Sequence, residues 1–277
     1  MTSSTPHHRS LFSQENILVF VMGFAAFAFI AFHVSPLWKF AYHLWFTGLM
    51  FTLAALALIN AVLTTGYRNA FVFLVLASVI GFSAEQFGIV SGLIFGPYEY
   101  TDRLQPKLLD VPIVIPLCWF AIVYFAHVLT NLIISGVANL KEHRLWRLSI
   151  LAMLTAFIAT GFDLAIDPLM SHKEVQAWIW TDGGAYFGVP FKNFQGWVLT
   201  AFAIDTLYRL FVREKGVKPI ARDPQWAAMW VIAAWAALAV GFILIGNPIE
   251  TQMIAVFAVL LPAALAAAST RFGAPRY

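Results

Sequence analysis

Apolar residues run along this chain in long stretches separated by short polar connections. The stretches fall near 17–35, 43–64, 70–95, 112–135, 146–167, 195–211, 226–245 and 249–269. A helix needs about 20 apolar residues to cross a bilayer. Only helices and closed barrels satisfy their backbone groups there. A barrel would show short alternating segments, and these stretches do not alternate. The pattern predicts an all-α fold, a polytopic transmembrane helix bundle of about eight spans. The first stretch is too long for a signal-peptide core and reads as the first span. Two connections, 96–111 and 168–194, are the longest on their side and are rich in aromatic, Gly and Pro residues. The second is expected to include a short interfacial helix. One integral membrane domain over 1–277 is expected, with flexible ends at 1–12 and 272–277.

Composition agrees with the pattern. Of 277 residues, 61% are hydrophobic and 11% charged, against roughly 25% charged in soluble domains. Too little polar surface remains to cover a water-soluble globule. The net charge of +3 does not point to nucleic acid. The Lys and Arg residues sit in the short connections, where the positive-inside rule accounts for them. With both the N- and C-termini cytoplasmic, five of the seventeen (Lys39, Arg103, Lys107, Lys173 and Lys192) fall outside and the other twelve inside. Seven spans would spoil that bias. The single cysteine, Cys118, excludes disulfides and Cys-based metal sites within the chain.

A shift of 78 residues superposes several polar and aromatic positions without a gap. Glu85 falls on Asp163, Val111-Pro112 on Val189-Pro190, Trp119 on Trp197 and His127 on Asp205. Helices three and four would then match five and six, in parallel orientation.

Ionisable residues inside a span cost about 2.5–3.5 kcal/mol at mid-helix, so the few present are the candidates for chemistry. Glu85 lies on a stripe with Ser78, Gly81, Gly88 and Gly92. Small residues mark a helix–helix contact, so Glu85 should point into the bundle, as a functional acid or as a structural one bonded to a neighbouring helix. Asp163 and Asp167 are four apart, below Ala152, Ala156 and Ala159, and share a helical face. Two anions so close in a poorly solvated site repel, which favours a shared proton and suits acid catalysis. The alternatives are a wetted helix end stopped by Pro168, or a cation site. His127 shares a stripe with Tyr124, Asn131 and Ser135, and Asp205 can pair with Arg209 one turn on. Both read as structural residues or as binding groups. The segment from Phe95 to Tyr100 brings Tyr98, Glu99 and Tyr100 close to Glu85. The chain has no P-loop, G-x-G-x-x-G, H-E-x-x-H, histidine-box or D-D-x-x-D motif. An enzyme here is expected to work by acid–base chemistry, without metal or redox cofactor.

Several motifs together carry a resemblance. Glu85-Gln86-Phe87-Gly88, Phe95-Gly96-Pro97-Tyr98-Glu99-Tyr100, Leu109-Asp110-Val111-Pro112, Ile115-Pro116-Leu117 and Trp119 form the first group. Phe162-Asp163-Leu164-Ala165-Ile166-Asp167-Pro168, Gly188-Val189-Pro190, Asn193-Phe194 and Gly196-Trp197 form the second. This stretch, Gly81 to Trp197, resembles the membrane carotenoid-biosynthesis family of the CruF type. The resemblance implies a cofactor-independent carotenoid 1,2-hydratase. Such an enzyme adds water to the terminal C1=C2 bond of an acyclic ψ-end and yields a 1-hydroxy carotenoid. Its substrate is lycopene-like, γ-carotene-like or a C50 precursor. Glu85, Asp163 and Asp167 are then the expected catalytic acids. Tyr98, Tyr100, His127, Trp180, Tyr186 and Asp205 are the expected substrate-binding groups. The expected setting is a multi-pass protein of the cell membrane, in contact with lipid. A proton- or cation-coupled transporter and a carotenoid end-group cyclase or isomerase are the rival readings, and a structural membrane subunit is a further one.

Overall fold

The computed structural model describes residues 13–34 and 42–272. The expected flexible ends lie outside the described residues, apart from Phe272, which closes the last helix. Eight long helices are present among the described residues: α1 (Gln14–Val34), α2 (Tyr42–Thr65), α3 (Tyr67–Ser91), α4 (Val114–Ser135), α5 (Leu145–Ser171), α6 (Phe191–Lys215), α7 (Pro224–Ile245) and α8. The last runs from Glu250 to Phe272 through a π turn at Val256–Leu260. Pro262 has no N–H to give the Ala258 carbonyl, which favours the wider turn there.

Seven of these helices are long and apolar enough to cross a membrane. Helix α6 has the length but not the composition. Asp205 and Arg209, both buried, and Arg213 and Lys215 in its last turn make it too polar. Asp205 and Arg209 are tolerated because they face protein rather than lipid. Helix α4 is the most enclosed, with buried residues around its whole circumference.

Close approach is bought with small residues. Ala152, Ala156 and Ala159 of α5 are fully buried. A Cβ on Gly161 would sit 2.7 Å from the Ala258 carbonyl oxygen of α8. Helix α3 ends where Gly92 turns left-handed, at φ 65°, and its N–H bonds to the Gly88 carbonyl.

No interfacial helix forms in 172–190. Instead β4 (Trp178–Trp180) pairs antiparallel with β1 (Tyr98–Tyr100), Tyr98 opposite Trp180 and Tyr100 opposite Trp178. Both strands alternate along their length. Tyr98, Tyr100, Trp178 and Trp180 face the bundle, while Glu99 and Ile179 face out. A second small hairpin pairs β2 (Lys107–Leu108) with β3 (Val111–Pro112).

The 78-residue repeat has a spatial counterpart. Leu108 pairs with Val111, and 78 residues on, Tyr186 bridges Val189. Trp119 stacks on Trp197 with ring centroids 4.1 Å apart. His127 meets Asp205 at 2.6 Å, and Asn131 accepts from Arg209 at 2.9 Å. Three pairs of residues 78 apart thus touch between α4 and α6.

Candidate active site

The three acids converge at one end of the bundle. Glu85 of α3 and Asp163 and Asp167 of α5 line one cavity of about 60 Å³. Their exposures are 5%, 2% and 1%, so protein rather than bulk water must solvate them. The cavity lies under the β1–β4 pair and is bounded by further aromatic rings: Phe46 of α2, Phe95 of the connection after α3, Trp119 of α4, Phe162 of α5 and Trp197 of α6. Among the described residues, no Lys, Arg or His lines it.

Glu85 is held by three donors. Tyr98 donates its hydroxyl to Oε2, Tyr100 donates to the same oxygen at 2.9 Å, and Trp119 Nε1 donates to Oε1 at 2.9 Å. Gly81 makes the Trp119 contact possible, because a Cβ there would lie 2.5 Å from the indole. Burial, and next the neighbouring Glu85 carboxyl, push both tyrosine hydroxyls well above the usual tyrosine range. They therefore remain donors.

Asp167 also takes three donors. Trp178 and Trp180 donate their indole N–H groups to Oδ1 at 2.7 and 3.0 Å. Asn193 donates to Oδ2 at 2.7 Å. The same Asn193 amide donates to Asp163 Oδ2 at 2.7 Å. Asn193 thus clamps the two aspartates from the first turn of α6. Asp163 accepts from Asn193 alone among the hydrogen bonds of the described side chains, which leaves it the least compensated acid of the three.

Helix α5 does not stop at Pro168. It continues to Ser171 with Pro168 inside. The proline cannot donate to the Leu164 carbonyl four residues back. The Tyr186 hydroxyl donates to that carbonyl instead, at 2.7 Å. Tyr186 was expected to bind substrate, but it borders the helix and not the cavity.

His127 and Asp205 are also placed away from the acids. They form a separate buried cluster with Arg209, which donates from Nε to Asp205 Oδ2 at 2.6 Å. The cluster lies eight residues along α4 from Trp119, about 12 Å at helical rise. The expected Asp205–Arg209 pair is present; neither His127 nor Asp205 borders the acid cavity. Tyr98, Tyr100 and Trp180 do line it. Asn193 and Trp178 were missed as site residues. The alternating Trp178-Ile179-Trp180 was a readable strand signal. The bridging by Asn193 had no local signal.

This arrangement defines a class of protein: a polytopic helical membrane protein whose buried carboxyl groups meet in an aromatic cavity. The family model for carotenoid biosynthesis proteins matches residues 17–262, and the chain belongs to that family. A bisanhydrobacterioruberin hydratase of Haloarcula japonica is 29% identical over 157 residues, 56% of this chain and 50% of that protein. The chain therefore spans half the length of that relative. No solved structure matches it.

Proposed function

We propose that the protein is a carotenoid hydratase of the cell membrane that adds water to the terminal C1=C2 bond of an acyclic ψ-end by acid catalysis. The observation that carries this reading is the meeting of Glu85, Asp163 and Asp167 in one aromatic cavity with no lining cation among the described residues. Three anions meeting there without a counter-ion, one of them with a single hydrogen-bond donor, would be too costly, so a proton is retained. The name of the Haloarcula japonica relative supports hydration as the reaction.

The unequal hydrogen bonding suggests the roles. Glu85 and Asp167 each accept from three donors, the pattern of an ionised carboxylate, which only accepts. Asp163 is the proton donor. Its proton passes to C2 and forms the new C–H bond. The alkene electrons leave a tertiary cation at C1. Nearby indole and phenol faces stabilise it, by about 2 kcal/mol or more once water is excluded. Water adds its oxygen to C1 and gives up a proton, which returns through Asp167 to Asp163. Atoms and charge balance, and the acid is regenerated. The cavity exceeds the roughly 10–15 Å³ that one water occupies.

The test is expression in a host that accumulates lycopene, with pigments separated by chromatography and weighed by mass spectrometry. A product heavier by one or two waters is expected. Asp163→Asn should lower its formation about 10²–10⁴-fold while the protein stays in the membrane. Full activity in both Asp163→Asn and Glu85→Gln would overturn the assignment. A product of unchanged mass would indicate cyclisation or isomerisation.

A further inference from the structure

The acid cavity is much smaller than a carotenoid. About 60 Å³ receives an end group and its water, so the rest of a long polyene must leave through a wall. Most walls are closed. The β1–β4 pair covers the end of the bundle with Tyr98, Tyr100, Trp178 and Trp180. The Trp119–Trp197 stack blocks the route down the bundle axis. Below it, Phe73 packs against Phe120, Tyr124 and His127.

One further wall is thin and wholly apolar. Phe46 and Met50 of α2 and Ile166 of α5 line the acid cavity on one side and a second, narrow slot on the other. Beyond this partition the slot runs between α2, α5 and α7, past Leu49, Leu169, Leu238, Phe242 and Ile245. Among the described residues, the only lining side chain with a polar atom is Trp45, an indole. It lies at the same level as the acids, near the start of α2 and the ends of α5 and α7. Ile245, at the end of α7, is only half-buried and adjoins exposed Leu244. The slot encloses only about 20 Å³, so it admits a chain only when its side chains move apart; its apolar lining then suits one occupant, an unbroken hydrocarbon chain arriving sideways from the bilayer.

We propose that the polyene of the substrate lies in the slot between α2, α5 and α7, with its ψ-end passed between Met50 and Ile166 into the acid cavity. This rests on the hydratase reading and adds to it the route and the determinant of chain recognition. The slot is narrow, so the chain enters by displacing side chains. Met50 suits that, being unbranched and easily reshaped.

The experiment compares two substrates in each variant: a full-length acyclic carotenoid, and a short acyclic terpene with the same terminal alkene. Leu238→Trp and Leu169→Trp fill the slot without touching the acids. Val79→Trp, on an exposed face of α3, is the control. The kcat/KM ratio, carotenoid over short terpene, cancels any loss of folded protein. It should fall about ten- to a hundredfold in both slot variants, the rate equivalent of overpacking by one side chain, and stay unchanged in the control. An unchanged ratio in the slot variants overturns the slot. If the wild-type protein hydrates neither substrate, the hydratase reading fails instead. Pigment bound per purified Asp163→Asn protein then decides the slot by itself, as it does if only the short substrate is inert. Slot variants in that background should lose the bound polyene, and equal retention overturns the proposal.

Discussion

Pro168 and Tyr186 show how a single missing N–H organises this site. The proline sits one residue after Asp167, inside α5. The carbonyl it leaves unbonded is claimed by Tyr186 from the connection to α6. Tyr186→Phe should cost about 1–3 kcal/mol, the penalty of a buried acceptor left unpaired. Pro168→Ala restores an N–H, so the double variant should recover most of that loss. Thermal unfolding in detergent, read as a double-mutant cycle, checks this. The tyrosines on Glu85 should behave differently. Tyr98→Phe removes one hydrogen bond to a charged group, worth about 1.5–3 kcal/mol. A product rate lowered about ten- to a hundredfold is therefore expected, with little change in unfolding temperature. Of these residues, the acids were legible in the sequence because charges in apolar runs are rare. Asn193 was not, since an amide at a helix start is ordinary until two carboxyls are seen beside it.

At the scale of elements, the helices were legible and their ends less so. Hydrophobic runs locate the spans, but α3 stops at Gly92 rather than continuing to 95, because the left-handed turn breaks the ladder. α5 passes through Pro168 because a side chain replaces the lost bond. The strand β4 replaced an expected helix. Its Trp-Ile-Trp alternation meets the Tyr-Glu-Tyr alternation of β1, and the pair covers the cavity with four aromatic rings. Packing of elements depends on glycines. Gly81→Ala would drive a Cβ to 2.5 Å from the Trp119 ring. It should cost about 1–3 kcal/mol by overpacking and reduce product formation by displacing the indole from Glu85. Gly23→Ala, where nothing lies within 4 Å, should be silent in the same unfolding and pigment assays.

Over the whole molecule, the two halves related by 78 residues meet along α4 and α6, and their counterparts touch. One pair of equivalent positions, Glu85 and Asp163, opens into the acid cavity. Another, His127 and Asp205, closes into an ion-paired cluster with Arg209. The charge bias predicts which end faces the cytoplasm. In a Cys118→Ser background, Asp102→Cys should react with an impermeant thiol reagent from outside and Lys141→Cys only after the cytoplasmic face is opened. Labelling of both from one side would break the eight-span arrangement, and labelling of Lys141→Cys alone from outside would invert it.

Periodicity, composition and charge placement determined by themselves that the chain is a helical membrane protein, which helices it contains, and which acids are expensive enough to matter. Those are properties of one segment in a bilayer, so a linear string suffices to read them. Convergence was decided only in three dimensions. The sequence offered six substrate-binding candidates alongside the acids, and the fold kept Tyr98, Tyr100 and Trp180 at the cavity while sending His127, Asp205 and Tyr186 elsewhere. A residue's own helix fixes the face it points from. What stands opposite that face depends on how neighbouring helices pack, and that is set by contacts between residues far apart in the chain.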